Sequence, residues 1–269
     1  MTPGPVELLR EWTPGAPLVT LAAAAVAYAL AARRTRAWPR RRSACFASGL
    51  LVTAVALLSG VDAWADRLQS VHMVQHTLLA LVAPPLLAAG APVTLALRRR
   101  TPGVARAVRT PFARTLAHPA VGFVALSGTM LAVHLTGLYE AATRSALVHV
   151  AEHIALLSAG LLFWAPLVGA DPAPHRVDAI GRVGWLLAIM APMGALSAVL
   201  VTATPRSEHY AATARALGVD PADDQRAAAL VMWIGGGALV TVAVLALAGA
   251  ALWQEETRMR RREALEARP

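Results

Sequence analysis

Five of the eight histidines fall in a pattern that can bind a metal ion. His72 and His76 are four residues apart, and so are His149 and His153. On an α-helix that spacing puts both rings of a pair on one face, where they can chelate. His134 is the fifth. Imidazole suits zinc, copper and iron alike, so these ligands do not choose the metal, whereas a soft thioether tilts the choice toward Cu(I). Met130 stands one turn before His134 on the same helical face, Met73 neighbours His72, and Met232 opens a late apolar stretch. Methionines in apolar helices also serve simply as packing. Asp62, Asp66, Glu140 and Glu152 are candidates to orient imidazole N–H groups or to accept protons released when a metal binds. Glu152, between His149 and His153, is the most direct of these, although its helical direction differs from theirs. His118, His175 and His209 lie outside the pattern. The single cysteine, Cys45, rules out a disulfide framework and a Cys-x-x-Cys motif within the chain.

Those side chains need a scaffold, and the composition says what kind. The 269 residues are 57% hydrophobic and only 15% charged, with a mean hydropathy of +0.52. That is too little polar surface for one soluble domain. Apolar stretches at about 17–32, 44–61, 70–97, 117–138, 145–168, 183–204 and 227–253 have the length needed to cross a hydrocarbon layer of roughly 30 Å as helices. Alternation of polar and apolar residues, which a membrane barrel would require, is missing. The expected fold is all-α: an integral membrane bundle of seven transmembrane helices forming a single polytopic domain, with a basic tail over 254–269.

The arginines orient this bundle. The formal charge of +9 sits in short clusters beside apolar spans, without the interleaved aromatics of a nucleic-acid surface, so no nucleic-acid partner is expected and the lipid bilayer is. Arg33, Arg34, Arg36, Arg40, Arg41 and Arg42 follow the first span, and Arg98, Arg99, Arg100, Arg106, Arg109 and Arg114 follow the third. Both connections belong inside by the positive-inside rule. The connections 62–69 and 139–144 carry one arginine each, Arg67 and Arg144, and belong outside. The tail, with Arg258, Arg260, Arg261, Arg262 and Arg268, then falls in the cytoplasm and the N-terminus outside. No secretory leader is expected, because the first apolar stretch is followed, not preceded, by basic residues. Basic residues that are all arginine, with abundant Ala and Val, point to a GC-rich, bacterial genome.

With this topology His72, His76, His134, His149 and His153 lie at matched depth, roughly 3 to 12 Å below the outer boundary at 1.5 Å per helical residue. Ionisable groups inside spans are costly and usually functional. Pro84, Pro85, Gly90 and Pro92 predict a kink or break in the inner half of span three. The polar segment 205–226 has room for a short amphipathic helix.

The run His72-Met-Val-Gln-His76, continued through Leu78-Leu79, Ala83-Pro84-Pro85-Leu86-Leu87 and Gly90-Ala91-Pro92, resembles the membrane assembly factors of caa3-type cytochrome c oxidase. So do His134-Leu-Thr-Gly137-Leu-Tyr139, His149-Val-Ala-Glu152-His153 and Leu162-Phe-Trp164-Ala-Pro166-Leu-Val-Gly169. The likeness covers about 62–172 and is weaker elsewhere. It implies a non-enzymatic, multi-pass protein of the bacterial inner membrane that helps mature the oxidase by supplying copper, with an oxidase subunit or another copper-handling protein as partner. From the residues alone two other classes stay open. One is an intramembrane zinc hydrolase, with Glu152 as general base. The other is a haem-binding electron carrier, which two histidines four apart on one helix do not favour, since they cannot ligate opposite faces of one haem.

Overall fold

The computed structural model describes residues 4–175 and 177–266, and the described residues form helices with no strand. Arg268 of the expected basic tail lies outside them. A short helix α1 (Pro5–Arg10) precedes α2 (Ala16–Arg33) and α3 (Arg40–Leu58). The short α4 (Gly60–Ala65) leads to α5 (Gln69–Thr77), which passes through a π-helical turn, Leu78–Val82, into α6 (Ala83–Ala89) and α7 (Pro92–Arg98). Two small helices, α8 (Val104–Ala107) and α9 (Pro111–Leu116), connect to α10 (Pro119–Leu135) and α11 (Leu138–Arg144). Then come α12 (Ala146–Val168), α13 (Ala179–Thr202), α14 (Glu208–Ala216), α15 (Pro221–Leu230), a second π turn, Val231–Gly235, and α16 (Gly236–Glu266).

Among the described residues six helical stretches are long and apolar enough to cross a membrane, and α10 with α11 makes a seventh if that bent pair counts as one span. The expected fourth span, 117–138, is thus a 17-residue helix that turns by 71° into α11. The break falls where Thr136 becomes extended. Its hydroxyl donates back to Ala132 O at 2.6 Å and accepts from Leu138 N at 3.2 Å, so the side chain replaces helical backbone bonds at the corner. The seventh expected span begins earlier than 227: Asp220 caps α15 by accepting from Ala222 N, and Pro221 takes the first helical position.

The break expected in span three has two parts. Pro84 and Pro85 have no N–H to give to Ala80 and Leu81, and the backbone widens into a π turn just before them. The freed carbonyl of Ala80 accepts instead from the Trp164 indole at 3.2 Å. Further on, Ala91 takes a left-handed φ of 51° before α7 restarts, where Asp171 accepts from Val93 N at 3.2 Å and Thr94 N at 2.6 Å.

Helix α12 is held against two neighbours by glycines. A Cβ on Gly160 would stand 2.7 Å from Ala80 O, and one on Gly122 would stand 2.4 Å from Leu162 O. Only glycine permits these approaches. The main apolar core, with Leu81, Leu126, Leu156, Phe163, Ile189, Leu196 and Met232, lies among the α5–α6 region, α10, α12, α13 and the second π turn. At one end of this core the faces of α5, α10 and α12 turn polar.

Candidate metal centre

Three helices bring the five histidines together. His72 and His76 come from one face of α5, His134 from the last turn of α10, and His149 and His153 from the first turns of α12. Ring centroids are 4.1 Å apart for His72 and His76, 4.3 Å for His149 and His153, 5.3 Å for His76 and His134, 5.8 Å for His72 and His149, and 6.3 Å for His76 and His153. His72, His76 and His134 are at most 3% exposed.

Glu152 stands among these rings. It is three residues after His149 and one before His153, so all three fall within a stripe of about 100° on α12. The carboxylate is buried, and its Oε1 lies 3.2 Å from His76 Nε2 and 3.5 Å from His72 Nε2. Ligand atoms of His72, His76 and Glu152 all lie within 4.8 Å of one another, and these three could hold a metal ion. Among the described residues, His134, His149 and His153 fall outside that mutual set.

Hydrogen bonds outside the cluster assign which imidazole nitrogen carries the proton. Tyr210 Oη is 2.8 Å from Ala65 O and 2.8 Å from His72 Nδ1. A backbone carbonyl only accepts, so the phenol proton goes to Ala65 and His72 Nδ1–H donates to Tyr210. Burial holds the Tyr210 phenol pKa well above its ordinary value, with the Asp66 charge adding to the effect. The lone pair of His72 is therefore on Nε2, facing Glu152. His134 follows the same logic: Nδ1 lies 2.8 Å from Met130 O and must donate, leaving the lone pair on Nε2. Gln75 fixes His153 in the opposite sense. Its amide nitrogen donates to Ala56 O at 2.8 Å and to Asp62 Oδ1 at 2.7 Å, so its oxygen accepts from His153 Nε2–H at 3.1 Å. Asp62 thus acts through Gln75. Burial raises its carboxyl pKa, and the hydrogen bond from Gln75 works against that rise.

Inside these outer bonds Glu152 Oε1 faces His76 Nε2 and His72 Nε2 at ion-pair distance, with no hydrogen bond of good geometry between them. His72 Nε2, both nitrogens of His76, His134 Nε2, His149 Nε2, both oxygens of Glu152 and the Tyr139 hydroxyl are buried with no hydrogen bond. Among the described residues only Ser127 Oγ and Ser197 Oγ share that condition elsewhere. A buried polar atom left without a hydrogen bond costs about 1–3 kcal/mol, so such a concentration is a poor packing solution, and the ligand atoms of His72, His76 and Glu152 could hold a metal ion. Imidazole lone pairs next to one carboxylate suit a divalent transition metal such as copper or zinc.

The other named residues sort as follows. Met73, Met130 and Met232 belong to the apolar core, with Met130 contributing its carbonyl to His134. Asp66 is exposed and 3.9 Å from His149 Nδ1. Glu140 pairs with Arg144 at 2.9 Å and accepts from Ser207 Oγ at 2.7 Å. His118 and His175 meet each other, ring centroids 4.8 Å apart, away from the cluster. His209 donates to Asp66 O at 2.8 Å. Sequence reasoning gave no role to Gln75 or Tyr210. Gln75 had a signal, being an amide inside an apolar span. Tyr210 had none, since its partner is 138 residues away.

The described residues thus combine several helices long and apolar enough to cross a membrane with a buried imidazole–carboxylate cluster. Residues 25–254 match the cytochrome c oxidase caa3 assembly factor family. The chain belongs to that family. Over 177 residues, 62% of this chain, it is 34% identical to an uncharacterised protein of Mycobacterium bovis and to one of Mycobacterium tuberculosis. Over 188 residues, 65% of this chain, it is 30% identical to an uncharacterised protein of Mycobacterium leprae. The matched stretches make up 27% to 28% of those relatives, so the likeness spans about a quarter of their length. No solved structure is significantly similar.

Proposed function

We propose that this chain is a multi-pass, non-enzymatic protein of the bacterial inner membrane that binds copper at the histidine cluster and passes it to a cytochrome c oxidase subunit or another copper-handling protein during assembly. The arginine pattern supports an outward-facing cluster, with the N-terminus outside and the basic C-terminal tail in the cytoplasm.

One observation carries the reading: buried atoms of His72, His76, His134, His149 and Glu152 that no hydrogen bond satisfies lie in one cluster, and ligand atoms of His72, His76 and Glu152 come within 4.8 Å of one another. Family membership supplies the target, because a cytochrome c oxidase is a copper enzyme. In this reading copper is cargo. His72 and His76 present nitrogen lone pairs, Glu152 supplies negative charge, and His134, His149 and His153 offer further imidazoles with ring centroids 5.3, 5.8 and 6.3 Å from those of His76, His72 and His76. An ion can then change partners one at a time, which favours release over permanent capture. Tyr210, Gln75 and Asp62 bind no metal. They hold the rings of His72 and His153 in a fixed tautomer and orientation.

The test is complementation of the source strain after deletion of its own gene. Wild-type protein restores oxidase activity and oxidase copper content, whereas His72→Gln, His76→Gln and Glu152→Gln, inserted in the membrane at equal level, restore neither. Full oxidase activity with the His76→Gln, Glu152→Gln double variant overturns the proposal. Zinc alone in the purified protein, with copper unable to displace it, does so as well.

A further inference from the structure

We propose, resting on the copper reading above, that the cluster holds two metal positions in series: a loading position at His149 and His153, opened to solvent beside Asp66, and a storage position at His72, His76 and Glu152.

Five imidazoles around a single ion would need their ligand atoms in mutual reach, and among the described residues only the inner three satisfy that condition. The remaining pair on α12 differs in setting. His149 is the one ring of the five that is partly exposed, its side chain 18% accessible, and it lies 3.9 Å from the Asp66 carboxylate, itself 67% accessible. Its Nε2 nevertheless points into the protein, buried and without a partner. The ring therefore spans the boundary, with Nδ1 on the Asp66 side and Nε2 on the inner side.

His149 also touches both positions. It lies 4.3 Å from His153 and is nearly parallel to His72 at 5.8 Å, with 18° between the ring planes. Because the Gln75 oxygen accepts from His153 Nε2–H, the lone pair of His153 is on Nδ1 and available to an ion that His149 has received. The other approach to His72 is covered. Tyr139 stands edge-on to the ring at 5.3 Å, and Tyr210 occupies Nδ1. Helix α14 is tied across that side by Tyr210 to Ala65 O, His209 to Asp66 O and Thr213 to Arg67 O. A cation arriving from solvent thus meets Asp66 first, then His149, and only afterwards the buried carboxylate. An exposed carboxylate at the mouth raises the local cation concentration and the capture rate, while the buried Glu152 governs retention.

The experiment uses the purified full-length protein in detergent, mixed rapidly with Cu2+ and followed by quenching of tryptophan fluorescence, alongside equilibrium competition with a chromophoric chelator. His149→Gln combined with Asp66→Asn slows loading by about tenfold or more, whereas Asp66→Asn alone leaves the tightest equilibrium affinity within about twofold of wild type. Glu152→Gln gives the converse: fast initial quenching is kept and the tight affinity is lost. Loading at the wild-type rate in the His149→Gln, Asp66→Asn variant overturns the series arrangement while leaving copper binding intact. So does loss of tight affinity in Asp66→Asn. Wild-type protein that binds no Cu2+ overturns the copper reading itself and this route with it.

Discussion

Tyr210 and His72, separated by 138 positions in the chain, meet at 2.8 Å between the phenol oxygen and Nδ1. Because the same hydroxyl gives its proton to Ala65 O at 2.8 Å, it can only accept from the imidazole. The contact thereby presets the tautomer of His72 and aims its free lone pair at Glu152.

Tyr210→Phe removes that acceptor while keeping the ring that stacks on Tyr139. Metal affinity falls by about 10-fold or more, and stability falls by about 1 kcal/mol. Chelator competition and thermal unfolding on one preparation separate the two effects. Unchanged affinity in Tyr210→Phe argues against tautomer control.

Gln75→Leu is a harsher change. It strips partners from Ala56 O, Asp62 and His153 Nε2 at once, and Gln75 is fully buried. We expect a loss of about 2–4 kcal/mol from the groups left unsatisfied, seen as a lower unfolding temperature in detergent. A variant as stable as wild type would mean that this network is replaceable.

Helix spacing gives a prediction with an internal control. Gly160→Val must push α12 away from Ala80 and Pro84, which a Cβ would approach to 2.7 Å. The cost is about 1–3 kcal/mol or more, and the histidines of α12 and α5 move apart with it. Gly128→Ala, whose Cβ would meet nothing within 4 Å, gains helix propensity at no steric cost. Unfolding and metal titration of both variants should show loss of stability and affinity in the first and neither in the second.

Metal should stabilise the fold, since it satisfies atoms that are otherwise buried without partners. At a free copper concentration about 100 times the dissociation constant, the gain is about 2.7 kcal/mol. A strong chelator reverses it. In Glu152→Gln the copper-dependent rise in unfolding temperature shrinks, while the metal-free transition stays close to wild type or moves up, because one buried negative charge is gone.

The helical architecture was legible because the length of an apolar span is a local property: the observed Gln69–Arg98, Ala146–Val168 and Ala179–Thr202 stretches differ from the expected 70–97, 145–168 and 183–204 by at most four residues. The corner at Thr136 was hidden, since an apolar run continues through it and only the hydroxyl's bonds to Ala132 and Leu138 reveal the turn. The start of α15 was hidden for the opposite reason. Its first turns carry Asp223, Asp224 and Arg226, which read as loop, yet Asp224 is buried and caps α5 by accepting from Gln69 N at 2.7 Å and Ser70 N at 3.1 Å. In the cluster, i, i+4 spacing put each histidine pair on one face, and it passed over Glu152, which at i+3 from His149 shares that face as well. Tyr210 could not be read at all: periodicity tells which face a helix buries, and not which distant residue it meets.

X-ray absorption at the copper edge, on full-length protein loaded with one equivalent of Cu2+, reads the ligands of the ion in the cluster. The expected first shell is nitrogen and oxygen with the outer-shell scattering of about two imidazoles, reduced in His76→Gln and altered in Glu152→Gln. A sulfur-dominated shell in the wild-type protein, or a wild-type spectrum unchanged by both substitutions, would contradict it.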